Sequence, residues 1–251
     1  MVWVPLLLVA CVVAGLGCAR LFRASLMAAL PAPPSSGGDD AELTVLEAAY
    51  LAGGPLRVTD LTLVAMHRER RLLLAHTGWA TVVDAGGGTR DEWESAVLGA
   101  IGPGGQSPIP AVRPAVAAAD AVRSLALRLV DRGLAVSDAG RREVAAGVRA
   151  VRTAFLLTLV LGTAAAFLVP GAERTVVVAG FTLPLLASGL CLLIGRIEVY
   201  PYTRWASPAG QRLLSGLSPA DPLTALATRG PAVLEPELRA ALRGHAPARL
   251  P

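Results

Sequence analysis

Two apolar runs, residues 153–172 and 175–195, contain no charged side chain and are separated only by Glu173 and Arg174. A helix needs about 20 apolar residues to cross the hydrocarbon core of a bilayer. It also satisfies every backbone N–H and C=O within its own segment, which lipid demands. Runs of this length with so short a break must turn back around Pro170, Gly171, Ala172, Glu173 and Arg174, giving a helical hairpin that crosses a membrane twice. A mean hydropathy of +0.54 agrees with this. So does a charged fraction of 17%, against the usual quarter of a soluble chain.

Residues 1–19 form a third uncharged run. A secretory signal carries positive charge before its apolar stretch, whereas here Arg20 and Arg23 follow it. Lipoprotein processing at Cys18 would call for a larger aliphatic residue where Gly15 stands. A retained anchor is therefore expected. Flanking arginines orient the three spans. One side would hold Arg20, Arg23, Arg141, Arg142, Arg149, Arg152, Arg196, Arg204 and Arg212, and the other only Arg174. The expected topology puts the N-terminus outside, with residues 20–152 and the C-terminus in the cytoplasm.

No Asp, Glu, Arg or His lies inside the spans. Intramembrane ionisable groups usually mark ion or proton paths, so the spans read as structural and a pump or transporter is disfavoured. Gly162 and Ala166 form a small-xxx-small pair suited to helix packing, and Pro184 is expected to kink the third span. All 23 basic residues are Arg, and the chain has no Lys and no Asn. Lys and Asn share AT-rich codons, so this reflects coding bias and not chemistry.

After a linker over residues 20–39, centred on Pro31, Pro33, Pro34, Ser35, Ser36, Gly37 and Gly38, the soluble sequence reads as two similar halves, 40–88 and 89–150. In the first, Leu43, Leu46, Glu47, Tyr50 and Leu51 recur at helical spacing behind a possible Asp40 cap. Gly53, Gly54 and Pro55 end that helix, because glycine reaches left-handed dihedrals and proline cannot continue one. A second helix is expected from Thr59 and Asp60 to about Arg70 and Arg71. Strands at Leu72–Ala75 and Thr81–Val83 follow, joined by the turn residues His76, Thr77 and Gly78. The second half gives helices at Glu92–Ile101, Arg113–Ala119 and Asp120–Asp131, and a strand at Leu134–Val136. An ungapped offset of 62 matches Leu63 with Leu125, Arg70 with Arg132, Leu72 with Leu134 and Gly78 with Gly140. The fold expected is mainly α: three transmembrane helices plus a tandem winged-helix-like (helix–helix–β-hairpin) module. Residues 196–251 would form a Pro/Ala-rich tail with short helices at Leu223–Thr228 and Pro236–Arg243.

The run Glu47, Ala49, Leu51, Ala52, Gly53, Gly54, Pro55, Arg57, Val58 resembles the E-x-A-x-L-A-G-G-P-x-R-V hallmark of a family of uncharacterised membrane proteins from high-GC Gram-positive bacteria. Leu125 through Arg132, Gly133 and Leu134 is similar to that family's second R-G-L element. Thr203 and Arg204 through Gly210, Leu213 and Leu214 is similar to its third. In the first copy Arg71 stands where the family often has Gly. Some members carry a Gly/Cys-rich low-complexity C-terminus, which residues 196–251 do not show. The resemblance covers nearly the whole chain. It implies architecture and an inner-membrane location, and it implies no reaction.

The residues themselves carry little catalytic signal. Cys11, Cys18 and Cys191 all lie in the spans, which leaves the soluble part without a thiol for a disulfide or zinc site. His67 and His76 lack ligand spacing, and no P-loop or G-x-S-x-G elbow is present. No metal, cofactor or catalytic residue is assigned. The acidic cluster Asp91, Glu92 and Glu94 sits at a helix N-terminus, where the dipole favours negative charge. Residues 39–140 hold 13 Asp/Glu against nine Arg. Nucleic-acid-binding domains usually carry a basic face, so the balance weighs against DNA. The expectation is a non-enzymatic, membrane-tethered protein-interaction or scaffold module, whose partners are the lipid bilayer and an unknown protein. Glu47, Gly53, Gly54, Pro55 and Arg57 would form its structural turn, and Arg68, Arg70 and Arg71 its partner surface. The alternative is a membrane-bound winged-helix DNA-binding regulator.

Overall fold

The computed structural model describes residues 3–29, 42–84, 91–169, 173–198, 203, 205–219 and 221–244. The centre of the expected linker, the Gly86–Gly88 connector, Asp40 and the tip of the membrane hairpin lie outside them. The chain is mainly helical and divides into two compact units. The first unit contains residues 1–30 and 136–204, and the second contains residues 31–135 and 205–251.

The first unit consists of three helices: α1 (Trp3–Ala29), α7 (Asp138–Leu168) and α8 (Glu173–Glu198). Each contains a stretch long and apolar enough to cross a membrane. Their packing relies on small residues. A Cβ on Gly147 of α7 would come within 3.0 Å of the Leu21 backbone of α1, and one on Gly17 within 3.4 Å of Val151. These pairs run α1 antiparallel to α7. Gly162 lies against the Phe181 ring of α8. Ala165 rather than Ala166 is buried beside it, with Ala10, Val177 and Phe181. α8 continues through Pro184, and the buried Ser188 hydroxyl donates to Pro184 O at 2.7 Å. Two boundaries differ from the sequence expectation. α1 runs on to Ala29, so residues 20–29 are helix and not linker. α7 begins at Asp138, capped by Ser137 Oγ accepting from Gly140 N, so residues 138–150 belong to the long helix and not to the soluble repeat. The stretch from Arg141 to Arg152 has no proline and is rich in Ala and Arg, so nothing stops the helix.

The second unit opens with α2 (Val45–Gly53) and α3 (Pro55–Arg68), joined through Gly54 alone. Thr44, not Asp40, caps α2: Thr44 Oγ accepts from Glu47 N at 3.3 Å, and the Glu47 carboxylate accepts from Thr44 N at 3.0 Å. This reciprocal capping box satisfies two otherwise orphaned donors. α3 begins four residues earlier than expected, because proline is favoured at the first helical position. Strands β1 (Leu72–Leu74) and β2 (Trp79–Val82) form the expected hairpin, turning at Gly78. α4 (Glu92–Ile101) follows. Asp91 takes its N-cap position without a side-chain cap bond.

The second half then departs from the repeat. β3 (Gln106–Pro108) adds to β2, giving an antiparallel sheet in the order β1-β2-β3. α5 (Ile109–Ala117) starts earlier than Arg113 and contains Pro114. α6 (Asp120–Asp131) matches its expected bounds. No hairpin follows it. Leu134–Val136 gives a single bridge, Ala135 to Ala206, before Ser137 caps α7, and the six residues between α6 and α7, the first two spent on the helix ending, are too few for two strands and a turn. The two halves still share one detail. α3 and α6 end in the same motif, with Arg71 N donating to Met66 O (3.0 Å) and Leu134 N to Leu129 O (2.8 Å). The left-handed residues are Arg70 (φ 60°) and Gly133 (φ 69°), so the offset at the helix ends is 63 and not 62.

Residues 205–244 are not a tail. They form α9 (Pro208–Gly216), α10 (Pro222–Arg229) and α11 (Pro236–Arg243). Leu226, Ala227, Ala241 and Leu242 are buried in the same core as Leu51, Leu63, Val97, Ile109 and Leu129. The second unit is thus discontinuous in sequence and is interrupted by α7 and α8.

Candidate functional site

Residues of the three motif elements meet inside the second unit. Glu47, besides its place in the capping box, accepts from Arg132 Nη1 at 2.5 Å. The first element is thereby tied to the second. Gly54 has φ +73° and ψ −162°, a region open essentially to glycine, and any Cβ there would overlap the indole of Trp205. That indole packs edge-on against Tyr50, with ring centroids 5.6 Å apart. Ser207 Oγ donates to Gly133 O at 2.6 Å, and Gly210 closes on Leu134 O. The third element is thereby held against the other two. Pro55 supplies the first residue of α3. Gly53 lies against the Arg57 side chain, its would-be Cβ 2.6 Å from Arg57 Cβ.

Arg57 engages the end of a helix. Its Nη1 donates to Leu226 O and Ala227 O, both at 3.2 Å, near the C-terminal end of α10. The cation meets the negative end of the helix dipole there, and Leu226 O also accepts from Gly230 N. Gly230 follows at φ +89°, and a side chain on it would strike the guanidinium. Two turns into α3, buried Asp60 accepts two bonds from Arg113 of α5, at 2.7 and 2.8 Å. Arg113 Nη1 also reaches Leu242 O of α11 at 3.5 Å. Burial holds the Asp60 carboxyl above its ordinary value, against the opposing pull of Arg113 and Arg57. Burial also lowers the Arg57 guanidinium, with Asp60 opposing and Arg113 reinforcing. These groups clamp the C-terminal helices to the core, and none is presented to a ligand.

The three arginines expected as a partner surface separate. Arg71 turns to Glu94 of α4 and forms an ion pair with it. Glu94 lines a cavity of about 230 Å³ bounded by Leu46, Leu61, Met66 and Trp93. Arg68 and Arg70 instead edge a groove of about 840 Å³ between the end of α3 and the α10–α11 segment. Val64, Leu223, Val233, Leu234 and Leu238 supply its apolar lining, and Asp221 and Glu235 line it as well. Asp221 caps α10, accepting from Leu223 N and Thr224 N, and these bonds hold its carboxyl below the usual carboxylate range. His67 also lines the groove. Its Nδ1 lies 3.0 Å from Leu72 O and 3.3 Å from Leu74 N, so β1 already engages it.

Sequence reasoning reached the Arg68/Arg70 edge and missed the opposite one. Asp221-Pro222 and Ser207-Pro208 were the available signals, since a cap residue before proline marks a helix start. Among the described residues, no group of three His, Cys, Asp or Glu side chains gathers in a way that could hold a metal ion. No protein-family profile, curated protein or solved structure matches the chain.

Proposed function

We propose that the protein is a membrane-tethered protein-interaction module and that the Arg68/Arg70 groove is where its partner docks. One observation carries the reading: a groove of about 840 Å³ whose lining combines Val64, Leu223, Val233, Leu234 and Leu238 with the cations Arg68 and Arg70 and the carboxylates Asp221 and Glu235. Val233 in that lining is 41% exposed, so its side chain is accessible to a partner. The partner that fits is an amphipathic peptide segment. Its apolar residues would cover Val233 and Leu238, an acidic group would face Arg68 and Arg70, and a basic group would face Asp221 and Glu235.

The finer architecture belongs to the same proposal. Within the second unit, α2, α3 and the β1–β2 hairpin support a winged-helix-like first half, and α5–α6 with the shared helix ending supports a second half without the hairpin. The similarity to the membrane family of high-GC Gram-positive bacteria is kept on the same footing, as is the orientation with the N-terminus outside and the module in the cytoplasm. That orientation rests on the arginine distribution.

A duplex-DNA role is less well supported. In the winged-helix scheme α3 would be the reading helix, yet Val58 through Val64 and Met66 are all buried. Only its C-terminal end, with Arg68, is free to approach a groove of DNA.

The test is photo-crosslinking in cells with the full chain, the probe replacing Val233 in one sample and the 60%-exposed Leu127 of α6 in a control. A discrete adduct at Val233 only, lost when Arg68 and Arg70 are both changed to Glu, is expected. Identical adducts from both positions would overturn the assignment. Binding of the detergent-solubilised chain to duplex DNA, weakening steeply with salt, would favour the alternative.

A further inference from the structure

The structure brings together two arginine groups that lie over a hundred residues apart in sequence. Leu21 packs on Gly147 and Gly17 on Val151. This register sets Arg20 level with the turn of α7 that carries Arg149 and Arg152. Arg23 and Arg142 lie a turn further along in the same direction. All five are exposed. Arg141 is engaged differently, with Asp138 and Val136 O. The charge is not spread evenly over the protein. The membrane unit holds nine Arg against four Asp/Glu, whereas the second unit holds 14 Arg against 15 Asp/Glu.

Apolar surface begins directly beyond this belt. Leu16, Val12 and Leu8 on α1 are 58%, 58% and 61% exposed, and Leu156 and Val160 on α7 are 50% and 63% exposed. From Arg152 to Leu168, α7 rises about 24 Å, which is most of the hydrocarbon thickness of roughly 30 Å. Arginine stems can bridge the difference by reaching outward to the headgroups. The belt therefore sits where apolar helix gives way to phosphate. Arg152, Arg149 and Arg20 fall within about one helical turn of each other, a height comparable with a headgroup layer. They point outward around the bundle and do not converge on one pocket.

We propose that Arg20, Arg149 and Arg152, joined by Arg23 and Arg142, form a binding belt for anionic phospholipid headgroups in the leaflet at that end of the bundle. Guanidinium groups suit phosphate because their planar donors bind two oxygens at once. The small residues Gly17 and Gly147 have a role in this, since closer helix packing holds the two arginine groups at one level. The belt does not depend on the groove or on any partner of the soluble unit.

The experiment is native mass spectrometry of the full chain released from detergent, with phosphatidylglycerol and phosphatidylcholine supplied in equal amounts. Retention of phosphatidylglycerol over phosphatidylcholine is expected, and each single variant, Arg20→Gln, Arg149→Gln or Arg152→Gln, should lower that preference about fivefold. The single variants keep the test independent of whether a triple variant folds. An Arg149→Lys variant should retain most of the preference, because it keeps the charge. Equal retention of both lipids, or no change in the Gln variants, would overturn the proposal. Loss of bound phosphatidylglycerol on adding millimolar inorganic phosphate would also overturn it, by assigning the arginines to a free anion.

Discussion

The joint at Gly54 offers the sharpest test of how the motif works. Replacing Gly54 with Ala places a Cβ on a residue at φ +73° and ψ −162° and drives it into the Trp205 indole. The backbone term alone costs about 1–3 kcal/mol. Overpacking against a ring held by Tyr50 adds about 1–3 kcal/mol. The sum, about 4 kcal/mol, is a large share of the roughly 5–15 kcal/mol that holds a domain folded. In a unit of about 150 residues it corresponds to a drop in Tm of about 10 °C. The assay is thermal unfolding of the full chain in detergent, followed by tryptophan emission. Gly99→Ala is the control of opposite sign. Gly99 lies in the exposed interior of α4 with nothing within 4 Å of the new methyl group, so the change should stabilise by about 0.5–1 kcal/mol. A Gly54→Ala protein that melts within about 2 °C of the wild type would refute the reading. The joint would then tolerate a side chain, and Trp205 would not be packed as described.

Arg57→Ala should cost about 2–3 kcal/mol, since two charge-assisted bonds to α10 are lost. Proteolysis should then cleave first within residues 205–244, whereas a uniform loss of protection would count against this clamp. Arg70→Gly should stabilise by about 0.5–1 kcal/mol by relieving a left-handed arginine, and a fall in Tm would show that the Arg70 side chain makes a compensating contact. Asp60 has a folded pKa above its ordinary 3.8. Its titration therefore favours the folded state most below that value, and the contribution is lost as pH rises through the folded pKa. In Asp60→Asn this component disappears, so the Tm of the wild type relative to the variant should be highest in acid and fall as pH rises towards neutral; a wild type that gains on the variant as pH rises would reverse the assignment. Reporter fusions at Gly38, Gly171 and the C-terminus should place the first and last in the cytoplasm and Gly171 outside. An exterior Gly38 would invert the expected topology.

The membrane hairpin, the first helix pair and the β1–β2 turn were legible in the sequence because each depends on neighbours a few residues away. Uncharged length defines a span, Gly53-Gly54-Pro55 ends a helix, though the restart at Pro55 was expected four residues later, and Gly78 turns a hairpin. The repeat was legible only up to the end of α6. The likeness between the Arg70 and Gly133 endings is local, but the fate of the chain beyond each is not. After Arg71 residues 72–82 are available for a hairpin, whereas after Leu134 only Ala135 and Val136 remain before Ser137 caps α7. Gln106–Pro108 shows no alternation of its own and becomes a strand because β2 has a free edge.

The sequence by itself determined that three stretches of this chain are long and apolar enough to cross a membrane, that a helix ends at Gly53 and Gly54, and which residues compose the motif. Apolar length, cap chemistry and backbone restriction act within a few residues, so each can be read along the chain. Only the tertiary structure decided that residues 205–244 complete the core of the second unit, that Glu47 pairs with Arg132 and Arg57 with α10, and that Arg20 stands level with Arg149. Those pairings join positions up to 170 apart, and they follow from which apolar faces bury one another, a choice made by the whole packed core and not by any local run of residues.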